Sequence, residues 1–472
     1  MNWHDKSVLV LGAGDTGLSV VRYLRRLGAR VRVADSRALG AGGLPASDEL
    51  GRLGCEVIRG AFTDALFGDA ELVVASPGVA VAGPACDATI KRAVAKGHQF
   101  VGDIELFAWQ QNQITGKKPS VIGITGSNGK STVTAMAGAM CTAAGMRTVV
   151  AGNIGLPVLD ALIDAERNGA PDVYVIELSS FQLETTSTLH LDAATMLNLS
   201  QDHLDRYEDM GAYATAKRRI FANASHQTVN RDDASSMSMK DGRCECASFG
   251  LDRPDKAKNF GLVDGWLARG DRKLIALDEV PVAGLHNAAN ALAAFALVEA
   301  IGADLTKAAH GLRSFKGLPH RSQRVGVVNG VTFLDDSKGT NVASTVAALS
   351  GMAAPTILIA GGEGKQQDFS PLAEPVRKYA KAVVLIGKDA RSIESAITSS
   401  RVPCLHAVDM DAAVRLAFAN ANLGDAVLLS PACASFDMFN NYKHRGEAFA
   451  ASVRALAEST TSTKSGPEGG HA

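Results

Sequence analysis

Long apolar runs are missing from this chain. No stretch approaches the ~18 consecutive apolar residues that carry a helix across a bilayer. The opening MNWHDKSVLVLGAG has neither the apolar core nor the cleavage site of a secretory signal. No membrane insertion is expected. An excess of positive charge is missing too: 48 Lys and Arg stand against 49 Asp and Glu, for a net charge of −1. That balance argues against nucleic acid as a partner, and it requires any phosphorylated ligand to be met by local features rather than by a global field. Cysteine is sparse: the seven are scattered, and only Cys244 and Cys246 lie close, with no second pair to complete a zinc site. They read as reduced thiols of a cytoplasmic protein. Residues 459–472, polar and rich in Gly, Ser and Thr, lack apolar material for a core and read as a disordered tail.

What is present is abundant core material, 46% hydrophobic against 21% charged over 472 residues. At roughly 100–200 residues per domain this length suggests two to four domains. Short apolar runs alternate with helical patterns, the signature of βαβ units and parallel sheets. Three blocks follow from composition. Residues 1–113 hold KSVLVLG, ARVRVAD and ELVVASPG as strands and close on QQNQITGKKPS. Residues 114–317 open on SVIGITG and hold DVYVIELSS and DAATMLNLS; short antiparallel strands are expected over 228–275, then a long Ala-rich helix in GLHNAANALAAFALVEAIG. Residues 318–458 hold VTFLDDS, PTILIAGG, KAVVLIG and DAVLLSP. Each strand ends in polar or Gly residues, where ligands of open α/β sheets bind.

The most specific signal is VIGITGSNGKSTV at 121–133. A strand runs into Thr125-Gly126-Ser127-Asn128-Gly129, and Lys130-Ser131-Thr132 opens a helix. Glycines let the backbone wrap a phosphate with N–H groups inward, and the helix N-terminus adds about half a positive charge. Lys130 can reach outer phosphates and Ser131 can ligate Mg²⁺. The usual phosphate loop carries Gly five positions before Gly129. Here that position is Ile124, and Gly123 stands one residue earlier. Other strand ends are ambiguous alone. Glu177 suits a metal ligand or an ordinary helix-start acid, His203 a ligand or a satisfied loop histidine, and Lys217 reads as a surface lysine.

GITGSNGKST, IELSSFQL, DHLDRY, LPHR, DDSKGTN and SPACASFD, taken in that order, resemble the Mur ligases. These are ATP-dependent amide-forming ligases whose phosphate loop is shared with folylpolyglutamate synthases. The resemblance implies that Thr125, Gly126, Ser127, Asn128, Gly129, Lys130, Ser131 and Thr132 bind ATP with Asn287, Asn290, Arg321 and Asp336. It implies two Mg²⁺ held by Ser131, Glu177, His203 and a carbamylated Lys217, with Lys130, His203 and Lys217 catalytic. It places the incoming amino acid at Lys338, Thr340, Lys365, Ser435 and Tyr442, the last more often Phe in the family. The reaction implied is attack of a carboxylate on the γ-phosphate of ATP, followed by displacement of phosphate from the acyl phosphate by an amine.

Near the start, Gly12-Ala-Gly14-Asp-Thr-Gly17 follows a strand, and Asp35 ends the next. Such a fingerprint suits any diphosphate at a helix N-terminus. By itself it fits a nicotinamide-dependent oxidoreductase. Within the resemblance it implies a UDP-sugar, with Asp15 and Thr16 at the diphosphate, Asp35, Ser36 and Arg37 near uracil, and Asn153 on the sugar side. An acid at position 15 is unfavourable there unless it points away. The fold expected is α/β in three domains: an N-terminal Rossmann-like domain, a central P-loop ATPase-like parallel sheet and a C-terminal Rossmann-like domain. The substrates implied are UDP-N-acetylmuramoyl-L-alanine and D-glutamate, used by a monomer. A related ligase using another amino acid or L-glutamate, a nicotinamide oxidoreductase and a nucleotide-binding regulator remain alternatives.

Overall fold

The computed structural model describes residues 2–37, 47–282, 284–352 and 354–462. The chain forms two compact units. One comprises residues 1–199, 203–280 and 289–315, and the other residues 200–202, 281–288 and 316–472. The first unit carries two sheets and the second carries one.

The first sheet holds β1 (Ser7–Leu11), β2 (Arg30–Asp35), β3 (Glu56–Arg59), β4 (Leu72–Ala75) and β5 (Phe100–Val101) in the order β3-β2-β1-β4-β5. All four pairings are parallel. The chain leaves β1 toward β2 on one side and returns as β4 on the other, so a crevice opens beyond the carboxyl ends of β1 and β4. Both faces are covered, which is why VLVL of β1 and LVVA of β4 are continuous apolar runs rather than alternating.

The second sheet contains β6 (Ser120–Thr125), β7 (Thr148–Gly152), β8 (Val173–Glu177), β9 (Leu191–Met196), β10 (Ala224–Asn230), β11 (Glu245–Phe249), β12 (Phe260–Val263), β13 (Trp266–Arg269) and β14 (Arg272–Ala276). Their order is β14-β13-β12-β11-β10-β9-β6-β8-β7. The antiparallel expectation for 228–275 is corrected in part: β10 and β11 continue the parallel sheet, and only β12, β13 and β14 run as a meander. A polar connection carrying the short helix Ala234–Ser238 is long enough for a crossover from β10 to β11, whereas DG and GD between the last strands permit only tight reversals. The two sheets of this unit are tied by Arg22, which donates to Glu49 and at 3.0 Å to Asp160, and by the Asp160 N–H donating to the Ser19 hydroxyl.

The third sheet holds β15 (Gln323–Val328), β16 (Val331–Asp335), β17 (Thr356–Gly361), β18 (Ala380–Ile386), β19 (Cys404–His406) and β20 (Ala426–Leu429), in the order β15-β16-β20-β17-β18-β19. The four expected strands are there. Two were missed: β15, an antiparallel edge strand whose QRVGVV is broken by a bulge, and the three-residue β19. The helix Tyr442–Ser462 carries the chain through the first residues of the expected disordered tail. Of that segment 459–462 is therefore helical, and 463–472 lies outside the described residues.

Among the described residues no helix is long and apolar enough to cross a membrane, and all seven cysteines are free thiols.

Candidate functional site

In the first sheet, Gly12 follows β1 with φ +94°, and a side chain there would stand 2.9 Å from Ser76 Cβ. Ser76, just past β4, donates its hydroxyl to the Gly12 carbonyl at 3.2 Å. Gly14 caps the helix Asp15–Arg26. Asp15 occupies the first position of that helix and is exposed, so its charge lies at the positive end of the helix with its carboxylate in solvent. That placement accounts for an acid in this turn. Asp35, at the end of β2, is buried. Its carboxylate accepts the Ala13 N–H at 2.7 Å and the Arg37 guanidinium at 2.6 and 2.9 Å. The Arg37 hydrogen bonds hold its pKa down at about 2, so it is an anion at any physiological pH. Ser36 and Arg37 are exposed beside it.

In the second sheet, Gly126 follows β6 and Gly129 turns the chain into the helix Lys130–Ala143 with φ +83°, a left-handed geometry that glycine adopts without strain. A side chain at 129 would also come 2.6 Å from Asn290 Oδ1, so Asn290 lies against the loop. Gly123 has a different role from the one its position suggests. It sits inside β6, and a side chain there would press within 2.5 Å of Leu191 Cδ1. The bend starts at Gly126, and Gly123 is a packing residue. The loop is held by Asn198, beyond β9, which accepts the Asn128 N–H at 2.8 Å and donates to the Asn128 carbonyl at 3.1 Å. Its main-chain carbonyl accepts the Ser127 N–H at 2.9 Å. The Thr125 hydroxyl donates to Leu178 at 2.7 Å. Ser131 and Thr132 are buried in the first helical turn.

Lys130 donates to the carbonyls of Gly126 and Ser127 at 2.8 and 2.9 Å. Lys217, expected on its own to be a surface residue, is 1% exposed. It donates to the Gly126 carbonyl at 2.8 Å, and its ammonium stands 4.7 Å over the Tyr213 ring. Tyr213 in turn brings its hydroxyl within 3.3 Å of Ser127 Oγ. His203, at φ +56°, meets Phe181 edge to face with ring centroids 4.8 Å apart.

Glu177 ends β8, beside the loop strand β6, and is 2% exposed. One carboxylate oxygen accepts the Asn153 amide at 2.8 Å, while Oε2 is buried and has no hydrogen-bond partner. Leaving a buried acceptor unmatched is costly. A hard cation would satisfy it, so the donor chemistry fits Mg²⁺. Among the described residues no group of His, Cys, Asp and Glu is large enough to hold a metal unaided. That suits magnesium, which binds through one or two carboxylates plus substrate phosphates. Asn153 is thus brought to the carboxylate at the end of β8.

In the second unit, Asp336 and Ser430 stand at the ends of β16 and β20. Asp336 is buried, accepts the Ser430 hydroxyl at 2.8 Å and the Ser322 N–H at 3.2 Å, and faces the charge of Arg321. Burial raises its pKa to about 7. Lys338 lays its ammonium 3.8 Å over the Tyr442 ring. Lys365, exposed at φ +50°, and Ser435, buried, sit on two loops joined by reciprocal bonds between Glu363 and Ala434. Thr340 follows in the same turn as Lys338. Asn287 belongs to this unit, where it donates to His286 at 3.0 Å, whereas Asn290 belongs to the first. Sequence reasoning missed Arg445, 1% exposed. It donates to Ser337 Oγ and O and to the carbonyls of Cys433 and Ala434, over 2.9–3.3 Å. Nothing in its helical context marks it as buried. Asn198 was missed as well, although an Asn at the end of the apolar run TML is a signal of the same kind as Glu177.

The sequence model of the Mur ligase middle domain matches residues 124–298, that of the Mur ligase MurD-like N-terminal domain residues 6–102, and that of the Mur ligase glutamate ligase domain residues 320–433. The UDP-N-acetylmuramoylalanine--D-glutamate ligase of Methylobacillus flagellatus is 54% identical over 97% of this chain and 99% of its own. The protein of the same name from Nitrosomonas europaea is 49% identical over 97% and 98%. Among solved structures, UDP-N-acetylmuramate-alanine ligase MurC from Thermotoga maritima shares the fold at 18% identity and a TM-score of 0.58, covering 97% of this chain and 100% of that one. A pseudomurein peptide ligase type C from Methanothermus fervidus does so at 17% identity and the same TM-score and coverage.

Proposed function

The chain belongs to the Mur ligase family, and from that premise we propose that it joins D-glutamate to UDP-N-acetylmuramoyl-L-alanine with hydrolysis of ATP, in peptidoglycan synthesis. The carrying observation is the phosphate loop of β6, with Lys130 at its helix start and the unmatched Glu177 oxygen at the neighbouring strand end, in a chain 54% identical to a ligase of that specificity. Family membership over the whole chain sets the nicotinamide alternative aside.

ATP lies in the Gly126–Thr132 loop, where the N-terminus of the helix Lys130–Ala143 meets its phosphates. Lys130 balances charge on the terminal phosphoryl group. Glu177, Ser131, His203 and carbamylated Lys217 would hold two Mg²⁺, which neutralise charge as the phosphoryl group transfers. A carboxylate oxygen of the UDP-sugar substrate attacks the γ-phosphorus and ADP leaves. The amine of D-glutamate then attacks the acyl carbon, and phosphate departs with the electrons of the C–O bond. Asn287, Asn290, Arg321 and Asp336 complete the nucleotide site. Lys338, Thr340, Lys365, Ser435 and Tyr442 receive the amino acid, whose two carboxylates suit two lysines and a hydroxyl. Asp15, Thr16, Asp35, Ser36, Arg37 and Asn153 serve the UDP-sugar. The domains run 1–113, 114–317 and 318–458, and the enzyme works as a monomer in the cytoplasm.

The test is phosphate release from ATP, assayed with and without UDP-N-acetylmuramoyl-L-alanine and with D- or L-glutamate. Release should require both substrates and the D-isomer. Release without an amino acid, or product formed equally from L-glutamate, overturns the reading. Lys130→Ala should lower kcat about 10²–10³-fold or more with UDP-sugar binding unchanged in calorimetry.

A further inference from the structure

Between the crevice of the first sheet and the phosphate loop of the second lies a guanidinium that neither site has claimed. Arg206 is 7% exposed, yet it lies on a loop. It donates to the Pro77 carbonyl at 2.9 Å and to the Glu184 carboxylate at 2.7 Å. Its central carbon stands 4.0 Å from the centroid of the Phe181 ring. Its Nε is buried with no hydrogen-bond partner, so the group accepts an unmatched donor to keep these contacts. Glu184 is also bonded by the Tyr207 hydroxyl, which fixes the carboxylate from a second side.

Two of these contacts lead to different functional elements. Pro77 follows Ser76, whose hydroxyl is bonded to the Gly12 carbonyl in the turn over the crevice. Phe181 is the ring against which His203 packs. The N–H groups of Arg206 and Tyr207 donate to the His203 carbonyl at 3.0 and 3.1 Å, closing the left-handed turn at His203. From His203 the contacts continue to Tyr213, with centroids 6.0 Å apart, and so to Lys217 and Ser127.

We propose that Arg206 is a positioning residue that sets the Ser76–Pro77 wall of the UDP-sugar crevice in register with His203 and the phosphate loop, so that the sugar-borne carboxylate is delivered in line with ATP. This rests on the ligase reading above. A planar, forked cation is required because carbonyl, carboxylate and aromatic face are met in different directions; a lysine ammonium meets only some of them. Misplacement of reacting groups by about 1 Å can cost about 10²-fold in rate, which gives such a clamp its leverage.

The test compares wild type with Arg206→Lys and Arg206→Met, both checked for a wild-type circular dichroism spectrum. In each, KM for UDP-N-acetylmuramoyl-L-alanine should rise and kcat should fall, each by about tenfold or more, while KM for ATP and for D-glutamate stays within about twofold. Phe181→Leu, which keeps the Pro77 bond, should lower kcat with KM for the UDP-sugar nearly unchanged. A purely structural role would shift all three KM values together or only the melting temperature; that result, or wild-type kinetics in Arg206→Lys, overturns the proposal. If the wild type itself fails to turn over with these substrates, the ligase reading falls and this one with it. If the wild type turns over and the variants match it, only the role of Arg206 falls.

Discussion

The ammonium of Lys217 and that of Lys130 donate to the same acceptor, the main-chain carbonyl of Gly126, each at 2.8 Å. Two cations on one carbonyl repel each other at close range, and one of them is 1% exposed. Conversion of Lys217 to a carbamate would remove the repulsion: the ammonium gives up one proton, and the free amine takes up CO₂ and gives up a second. The product keeps an N–H for the Gly126 carbonyl while gaining an anion that suits Mg²⁺.

Carbamylation should be visible in the mass of the intact protein near neutral pH and be lost on acidification. Depleting CO₂ should lower the rate, and bicarbonate should restore it. Lys217→Arg keeps the charge but cannot form the carbamate, and should lower kcat about 10²-fold or more. A wild-type rate in that variant would rule the modification out as a requirement.

Glu177→Gln preserves shape and the bond to Asn153 through its amide oxygen, but exchanges the unmatched oxygen for an NH₂ that cannot ligate a metal. The Mg²⁺ concentration for half-maximal rate should rise about 10–100-fold, measured at fixed ATP. Binding of the UDP-sugar without ATP should not change. An unaltered Mg²⁺ dependence would remove Glu177 from the metal site.

Asp336 sets a pH dependence of stability. Its folded pKa is raised to about 7 by burial, against 3.8 for an ordinary aspartate. The folded state therefore binds more protons than the unfolded one between these values. Stability falls as pH rises through that window, and the loss is complete above about 7. At 1.36 kcal/mol per unit the loss is at most about 4 kcal/mol. Asp103, buried and raised to about 6 by the same cause, acts in the same direction. Urea denaturation from pH 5 to 8 should show the decline, and Asp336→Asn should flatten it. A decline unchanged in that variant would contradict the assignment.

Arg445 holds the loop of Ser337 against the loop of Cys433 and Ala434 through its whole donor set. Burial lowers its pKa to about 10, which leaves it charged at neutral pH. Arg445→Met should strand these carbonyls and destabilise the chain by about 3 kcal/mol or more, read from chemical denaturation. KM for D-glutamate should rise while KM for the UDP-sugar stays constant, because Lys338 and Ser435 flank these loops.

Some residues could be assigned from sequence because their function depends on local chain geometry. Gly129, Lys130 and Ser131 form a turn and a helix start within a few residues, and Asp35 and Glu177 end apolar strands. Runs such as VVLI and VLL announced parallel strands buried on both faces. The short strand β19 and the bulged β15 gave weak periodicity and went unread. Gly123 was credited to the loop because sequence shows a missing side chain but not Leu191 filling its place.

Burial of charge was beyond sequence. Lys217 sits among Arg218 and Arg219 and looks like them; only the packing of its helix turns it toward Gly126. The same holds for Arg206 and Arg445, whose acceptors include the carbonyls of Pro77 and Ser337 on distant loops, and every residue has a carbonyl. Local composition determined the sheets, the phosphate loop and the order of the motifs, because these follow from backbone preference and apolar pattern over a few residues. Tertiary packing decided which cations are buried and what they clamp, because that depends on acceptors brought together from separate loops, such as Pro77 for Arg206 and Ser337 for Arg445, more than a hundred positions away in each case.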